Sequence, residues 1–179
     1  MTNDCKKTIE EVIKKYKFDC TVDTFKDDPH IYWLTVSFYR YLSEDFMEEF
    51  SDKLHWQQAS RNQKLAESFM EKYKNKVYWI DISECQTLSE PFISKFQDKV
   101  YWPHISKFQF LSESFITKFQ HKVSWRYILN KYNLSDECFI LNEFYINQFD
   151  SKEYIEKLKV IKNHIQLQYQ NNFFTISLN

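Results

Sequence analysis

Apolar positions along this chain fall into columns that recur every 23 residues. Trp33, Trp56, Trp79, Trp102 and Trp125 are all of its tryptophans, and each stands 23 residues after the last. Leu42, Leu65, Leu88, Leu111 and Leu134 keep the same step, as do Phe46, Phe69, Phe92 and Phe115. Another column runs Leu54, Val77, Val100, Val123, and a further one Ala59, Ile82, Ile105, Ile128. Independent columns in phase are the signature of a repeat protein, in which one supersecondary unit stacks on copies of itself.

Within residues 111–129 the pattern predicts two short helices. Ser112 is a natural N-cap, because its hydroxyl can accept from an orphan backbone N–H. Leu111 before it and Ile116 at the fourth helical position form a hydrophobic staple. Glu113 suits the positive end of the helix dipole, and Phe115, Ile116 and Phe119 share one face. The helix is expected to stop with Asp52, Asn75, Asp98 or His121 in the left-handed region, which these residue types tolerate best after glycine. A second helix is expected to start near each Trp. Pro103 fits its first turn, and Trp125 and Ile128 lie on one face. Helices of about two to three turns do not stand alone, so the Phe/Trp/Ile face, the Trp column included, is expected to be core sealed between repeats. A leucine-rich repeat is excluded, because its Leu-x-Leu strand and Asn ladder are missing.

The fold expected is therefore all-α: short helix–turn–helix repeats stacked as a small α-solenoid with capping helices at both ends. Residues 1–28 form an N-terminal capping helix and connector, 29–144 the array, and 145–179 a C-terminal capping helix and tail. In the first, Ile9, Val12, Ile13 and Tyr16 share a face, and residues 17–30 read as a polar connector. Trp33, Val36 and Ser37 match the second half of a repeat. At the far end Cys138 takes the Phe column, while Phe139 and Phe144 slip out of register. Ser151 then caps a helix with Tyr154, Ile155, Leu158, Ile161 and Ile165 on its apolar side, and Phe173-Phe174 fold back.

Composition narrows the chemistry. Aromatic residues make up 19% of the chain, which argues for a packed protein and against disorder. Glycine is absent, where average usage would supply about a dozen. A P-loop, a dinucleotide fingerprint and a nucleophile elbow all need glycine, so those chemistries are excluded. Cys5, Cys20, Cys85 and Cys138 form no CxxC pair, and a reduced intracellular protein is expected. No apolar run approaches the length of a membrane span. His30, His55, His104, His121 and His164 never fall at zinc-ligand spacing, and no catalytic group stands out. No catalytic residue, metal or cofactor is expected.

Two sets of columns remain as an interaction surface. Lys53, Lys76, Lys99 and Lys122 form one ridge, with Lys72, Lys95 and Lys118 four residues earlier. Such an edge suits phosphates or an acidic partner. Glu44, Glu67, Glu90, Glu113 and Asp136 recur as regularly, however, so charge pairs between neighbouring repeats or dipole complementation account for both columns. The other set changes chemistry from repeat to repeat, as at Gln57, Ile80, Pro103 and Arg126.

The unit Leu-Ser-Glu-x-Phe-Ile-x-Lys-Phe-x-Asp-Lys-Val-x-Trp-x-x-Ile-Ser-Lys, most complete at residues 88–107, resembles a short α-repeat of proteins from large amoeba-infecting DNA viruses. The likeness covers about residues 29–140. The scarcity of Ala and Arg beside abundant Lys, Asn, Ile, Phe and Tyr suggests an AT-rich genome, in keeping with such a source. The resemblance implies a non-enzymatic protein–protein interaction scaffold that engages a host or viral protein, in the virion or the host cytoplasm. Some longer members carry an F-box-like segment, which is not recognisable here. The alternative is a nucleic-acid-associated protein using the Lys columns in the host nucleus or viral factory. Exposed rings at a poorly capped end would allow a homo-oligomer.

Overall fold

The computed structural model describes residues 1–27, 31–38 and 42–132, together with 134–136, 138, 142, 155–157, 159, 160 and 163. Among these the chain is all-helical, with no strand. In order come α1 (Asn3–Tyr16), α2 (Val22–Asp27), α3 (Ile31–Ser37), α4 (Glu44–Glu49), α5 (Trp56–Asn62) and α6 (Glu67–Lys72). They are followed by α7 (Trp79–Cys85), α8 (Glu90–Lys95), α9 (Trp102–Phe108), α10 (Glu113–Lys118) and α11 (Trp125–Lys131). The chain divides into two compact units, Met1–Tyr101 and Trp102–Asn179. In the N-terminal unit α3 packs on α5 and α5 on α7; in the C-terminal unit α9 packs on α11. Each unit thus has the side-by-side stacking of a small α-solenoid, as the repeat predicts. No helix of the described residues is long and apolar enough to cross a membrane.

The helices are short, at the lower end of the length expected. The first of each repeat has six residues and the second seven, about two turns. Such pieces persist because their ends are capped and their faces buried. The hydroxyls of Ser43, Ser89 and Ser112 accept from the N–H groups of Phe46, Phe92 and Phe115, each at 3.2 Å. Leu111 and Ile116 are both buried, as the staple requires. Met47, Met70, Ile93 and Ile116 on the first helices are fully buried, with Ala59, Ile82, Ile105 and Ile128 on the second. Each large side chain among them contributes roughly 1.5–3 kcal/mol, which offsets the nucleation cost.

The helix ends correct one expectation. Lys17, at φ 55, is the only left-handed residue among those described, and it ends α1. Asp52, Asn75, Asp98 and His121 do not take that role. Instead α4, α6, α8 and α10 end on Phe50, Tyr73, Phe96 and Phe119, with φ from −105 to −109 and ψ from 26 to 28. From this bridge-region cap one carbonyl accepts twice. Phe50 O takes the N–H of Lys53 at 2.9 Å and of Leu54 at 3.1 Å. Tyr73, Phe96 and Phe119 do the same for Lys76 and Val77, Lys99 and Val100, and Lys122 and Val123. The turn closes with negative φ throughout, so a chain without glycine can repeat it.

The Trp column is also differently placed. Trp33 and Trp125 are buried, but Trp56, Trp79 and Trp102 are half-buried. Each ring leans on two aromatic rings of the following first helix. Trp56 lies 6.2 Å from Phe69 and 4.9 Å from Tyr73; Trp79 lies 6.1 and 4.9 Å from Phe92 and Phe96. Trp102 lies 6.4 and 5.1 Å from Phe115 and Phe119. A buried indole usually finds a partner for its N–H, although that of Trp33 is buried without one among the described residues. Trp56 donates to Ser51 O at 2.7 Å, Trp79 to Lys74 O at 3.0 Å and Trp125 to Gln120 O at 2.9 Å. Trp56 and Trp79 make this bond at the rim of the core and Trp125 makes it buried, while the Met/Ile columns fill the centre.

At the N-terminus α1 buries Cys5, Ile9 and Val12 and packs on α2 and α4, whereas Tyr16 is exposed. The polar connector expected over residues 17–30 contains α2. Thr21 Oγ1 accepts from the N–H of Thr24 at 3.2 Å, and Thr24 Oγ1 from that of Thr21 at 2.8 Å. This reciprocal cap starts a turn that buries Phe25 against Trp33, with ring centroids 5.6 Å apart. Towards the C-terminus Cys138 is buried in the Phe column, as expected, and burial pushes its thiol pKa up. Phe139, Phe144, Ser151, Tyr154, Leu158, Ile161, Ile165 and Phe173-Phe174 lie outside the described residues.

Candidate interaction surface

Three polar columns join each repeat to its neighbour, and two of them are buried. Ser37, Ser60, Ser83 and Ser106 are fully buried. Ser83 Oγ donates to Trp79 O at 2.6 Å and accepts from Tyr101 N–H at 2.9 Å. Ser37, Ser60 and Ser106 accept likewise from the N–H groups of His55, Tyr78 and Ser124, at 2.9, 3.0 and 2.8 Å. The Gln column spans the same junctions. Gln63 and Gln86 accept from the N–H of Leu42 and Leu65 at 3.0 Å, and Gln86 donates to Ser60 O and Gln63 O at 2.9 and 2.6 Å. Tyr132 takes over in the C-terminal unit, its hydroxyl accepting from Leu111 N–H and donating to Gln109 O. Regularity of Ser and Gln at the repeat step was the signal for both columns.

The third column is acidic, and Glu44, Glu67 and Glu113 in it serve backbone donors of the next repeat. Glu44 accepts from Ala66 N–H at 2.8 Å, Glu67 from Ser89 N–H at 2.6 Å and Glu113 from Ser135 N–H at 2.6 Å. A carboxylate at the next helix start satisfies a backbone donor and complements its dipole. It also explains how α6 starts on Ala66, which has no capping side chain.

The lysines find other partners within the array. Lys72 pairs with Glu48, Lys95 with Glu71 and Lys76 with Asp52, each across one repeat. The hydrogen bond from Lys76 holds the Asp52 carboxyl below its ordinary pKa, and that to Glu48 raises Lys72. Lys53 donates to Lys26 O and lies 5.9 Å over Trp33. Lys76 and Lys122 lie over Trp56 and Trp102 at 5.8 and 5.9 Å, and Lys118 over Phe119 at 5.3 Å. Lys99 is exposed. Lys72 and Lys76 converge on one ring, Tyr73, at 5.7 and 5.9 Å. Much of the ridge is thus engaged in closing the half-buried rings.

The variable columns sit on the second helices. Gln57, Ile80 and Arg126 are exposed on α5, α7 and α11, and Pro103 is half-buried on α9. Leu34 precedes them in the same column and is also exposed. Beside it runs a second column, His55, Tyr78, Tyr101 and Ser124. Each of these backbone N–H groups is held by a buried serine, and no side-chain cap is made by His55, Tyr78 or Ser124. The side chain there is free to differ. In the N-terminal unit this leaves Tyr78, Ile80 and Tyr101 at 49%, 57% and 43% exposure, large side chains with much of their surface in solvent. Among the described residues no group of three or more His, Cys, Asp or Glu is placed to hold a metal ion.

The fold and these columns define an α-helical repeat protein. Comparison with protein-family models, curated proteins and solved structures returned no match.

Proposed function

We propose that this chain is a non-enzymatic scaffold that binds a protein partner through the outer columns of its second helices. One observation carries the reading: the outer column of the second helices changes residue at every repeat on a support whose buried columns hardly change. The Ser column holds from Ser37 to Ser106 and the Gln column from Gln63 to Gln109, each changing once, at Leu129 and Tyr132, whereas Leu34, Gln57, Ile80, Pro103 and Arg126 change at every step. A recognition surface needs such freedom on a rigid support. The likeness of residues 88–107 to repeats of amoeba-infecting viruses supports a host or viral protein as partner, met in the virion, the host cytoplasm or the host nucleus. Nucleic-acid binding along the Lys columns has less support, because so many of their ammonium groups are paired inside the array.

Affinity purification of the tagged chain from host cells, with identification of bound proteins, tests this. The account expects a specific protein that is lost with Ile80→Asp or Tyr78→Ala. Recovery of nothing beyond an untagged control, or of nucleic acid alone, would overturn it.

A further inference from the structure

We propose that the outer surface of α9 and α11 in the C-terminal unit docks an acidic protein segment bearing an aromatic or large aliphatic anchor. This rests on the scaffold reading and gives its partner a chemistry. Neither helix carries an Asp or Glu; α9 reads Trp-Pro-His-Ile-Ser-Lys-Phe and α11 Trp-Arg-Tyr-Ile-Leu-Asn-Lys. Among the described residues no carboxylate pairs with Lys107, Arg126 or Lys131. On α5 and α7, by contrast, Arg61 already faces the buried Asp81 at 3.6 Å.

Rings and ammonium groups form one patch across the two helices. Lys107 lies 4.7 Å over Phe108 on its own helix and 5.7 Å over Tyr127 on α11. His104 meets Phe108 edge-on at 5.5 Å. Lys131 lies between Phe110 and Tyr132, at 5.0 and 5.2 Å, and donates to Gln109 O. Phe110 is 86% exposed, an unusual position for a phenyl ring with no structural task. Burial holds Lys131 below the ordinary lysine pKa. Among the described residues no carboxylate offsets that desolvation, and an incoming one would.

The same groups argue against single-stranded nucleic acid as the occupant. A nucleic-acid strand needs open ring faces for stacking and a run of phosphate contacts. Here lysines already lie over Phe108 and Phe110, and the cations are few. A carboxylate needs only the ammonium, and the uncovered side of Phe110 is left for an apolar anchor.

Fluorescence anisotropy on the full chain tests this with three labelled probes: a peptide of Asp and Glu around a single Leu, the same peptide with Lys for its acids, and oligo-deoxythymidine. The acidic peptide is expected to bind, and Lys131→Ala and Phe110→Ser each to weaken it about ten-fold. Circular dichroism is read on each variant; Phe110→Ser alters a side chain already in solvent, so it carries the test should Lys131→Ala disturb the helix. No binding of the acidic peptide, equal binding of the lysine peptide, or tighter binding of the oligonucleotide overturns the proposal. So does a cellular partner that needs Tyr78 and Ile80 yet ignores both C-terminal substitutions, an outcome that leaves the scaffold reading standing.

Discussion

The buried polar columns and the exposed outer columns lie on the same short helices and obey opposite rules. Ser83 donates to one carbonyl and accepts from one backbone N–H at zero exposure, and its counterparts Ser37, Ser60 and Ser106 are serine, with buried Leu129 taking the place in the last repeat. Ile80, three residues earlier in α7, is exposed, and its counterparts are Gln57, Pro103 and Arg126. A buried hydroxyl that holds a neighbour's backbone N–H cannot be exchanged without stranding that donor. A side chain in solvent can. Regularity therefore marks what builds the array, and irregularity marks where the array can meet something else.

Substitutions on either side of this division sharpen it. The largest effect is expected in the centre of the stack: Ile82→Ala should cost about 2–5 kcal/mol, read as a lowered denaturation midpoint. Gln86→Leu comes next, because it strands Leu65 N–H, Ser60 O and Gln63 O; about 2–3 kcal/mol is expected. Ser83→Ala strands one donor, Tyr101 N–H, and should cost about 1–2 kcal/mol. Ile80→Asp, in the outer column, should leave stability within about 0.5 kcal/mol while abolishing partner retention. If Ile80→Asp destabilises as much as Ser83→Ala, the two classes of column are not distinct.

The smallest effects belong to the exposed charge pairs. The Asp52 pKa is lowered in the folded chain by the Lys76 hydrogen bond. Its contribution is present above the unfolded carboxyl value and is lost as pH falls through the folded one. Lys72 is raised by Glu48, so its contribution holds below the unfolded lysine value and disappears as pH rises through the folded one. Both pairs are exposed and screened. Melting temperature should be flat across neutral pH, with an acid limb that softens in high salt. A steep change near neutrality would contradict the pairing described.

The repeat, its helical halves, the Ser caps and the buried Ala59/Ile82/Ile105/Ile128 column were legible because each is an apolar or capping position at a constant interval. Other features were not: Trp56, Trp79 and Trp102, expected as sealed core, are half-buried. The left-handed stop expected at Asp52, Asn75, Asp98 and His121 follows from local propensity, but the carbonyl of Phe50 and its equivalents accepts two turn donors without it. For the Glu column, charge pairing with lysine and dipole complementation both stood open; Glu44, Glu67 and Glu113 lie at the next helix start, and the backbone N–H they accept from is not visible in sequence. On the candidate surface, the variable column could be read directly. The patch around Phe110 and Lys131 could not, since it needs α9 and α11 folded side by side.

The central claim is that recognition lies in the outer columns and not in the lysine ridge. Partner retention by two multiple variants in one affinity purification tests it most directly. One replaces Gln57, Tyr78, Ile80 and Tyr101 with serine; the other replaces Lys53, Lys72, Lys95 and Lys99 with glutamine. The account predicts that the first loses the protein retained by the wild type and the second keeps it, both with unchanged helical circular dichroism. Loss in the lysine variant with retention in the outer-column variant would contradict it.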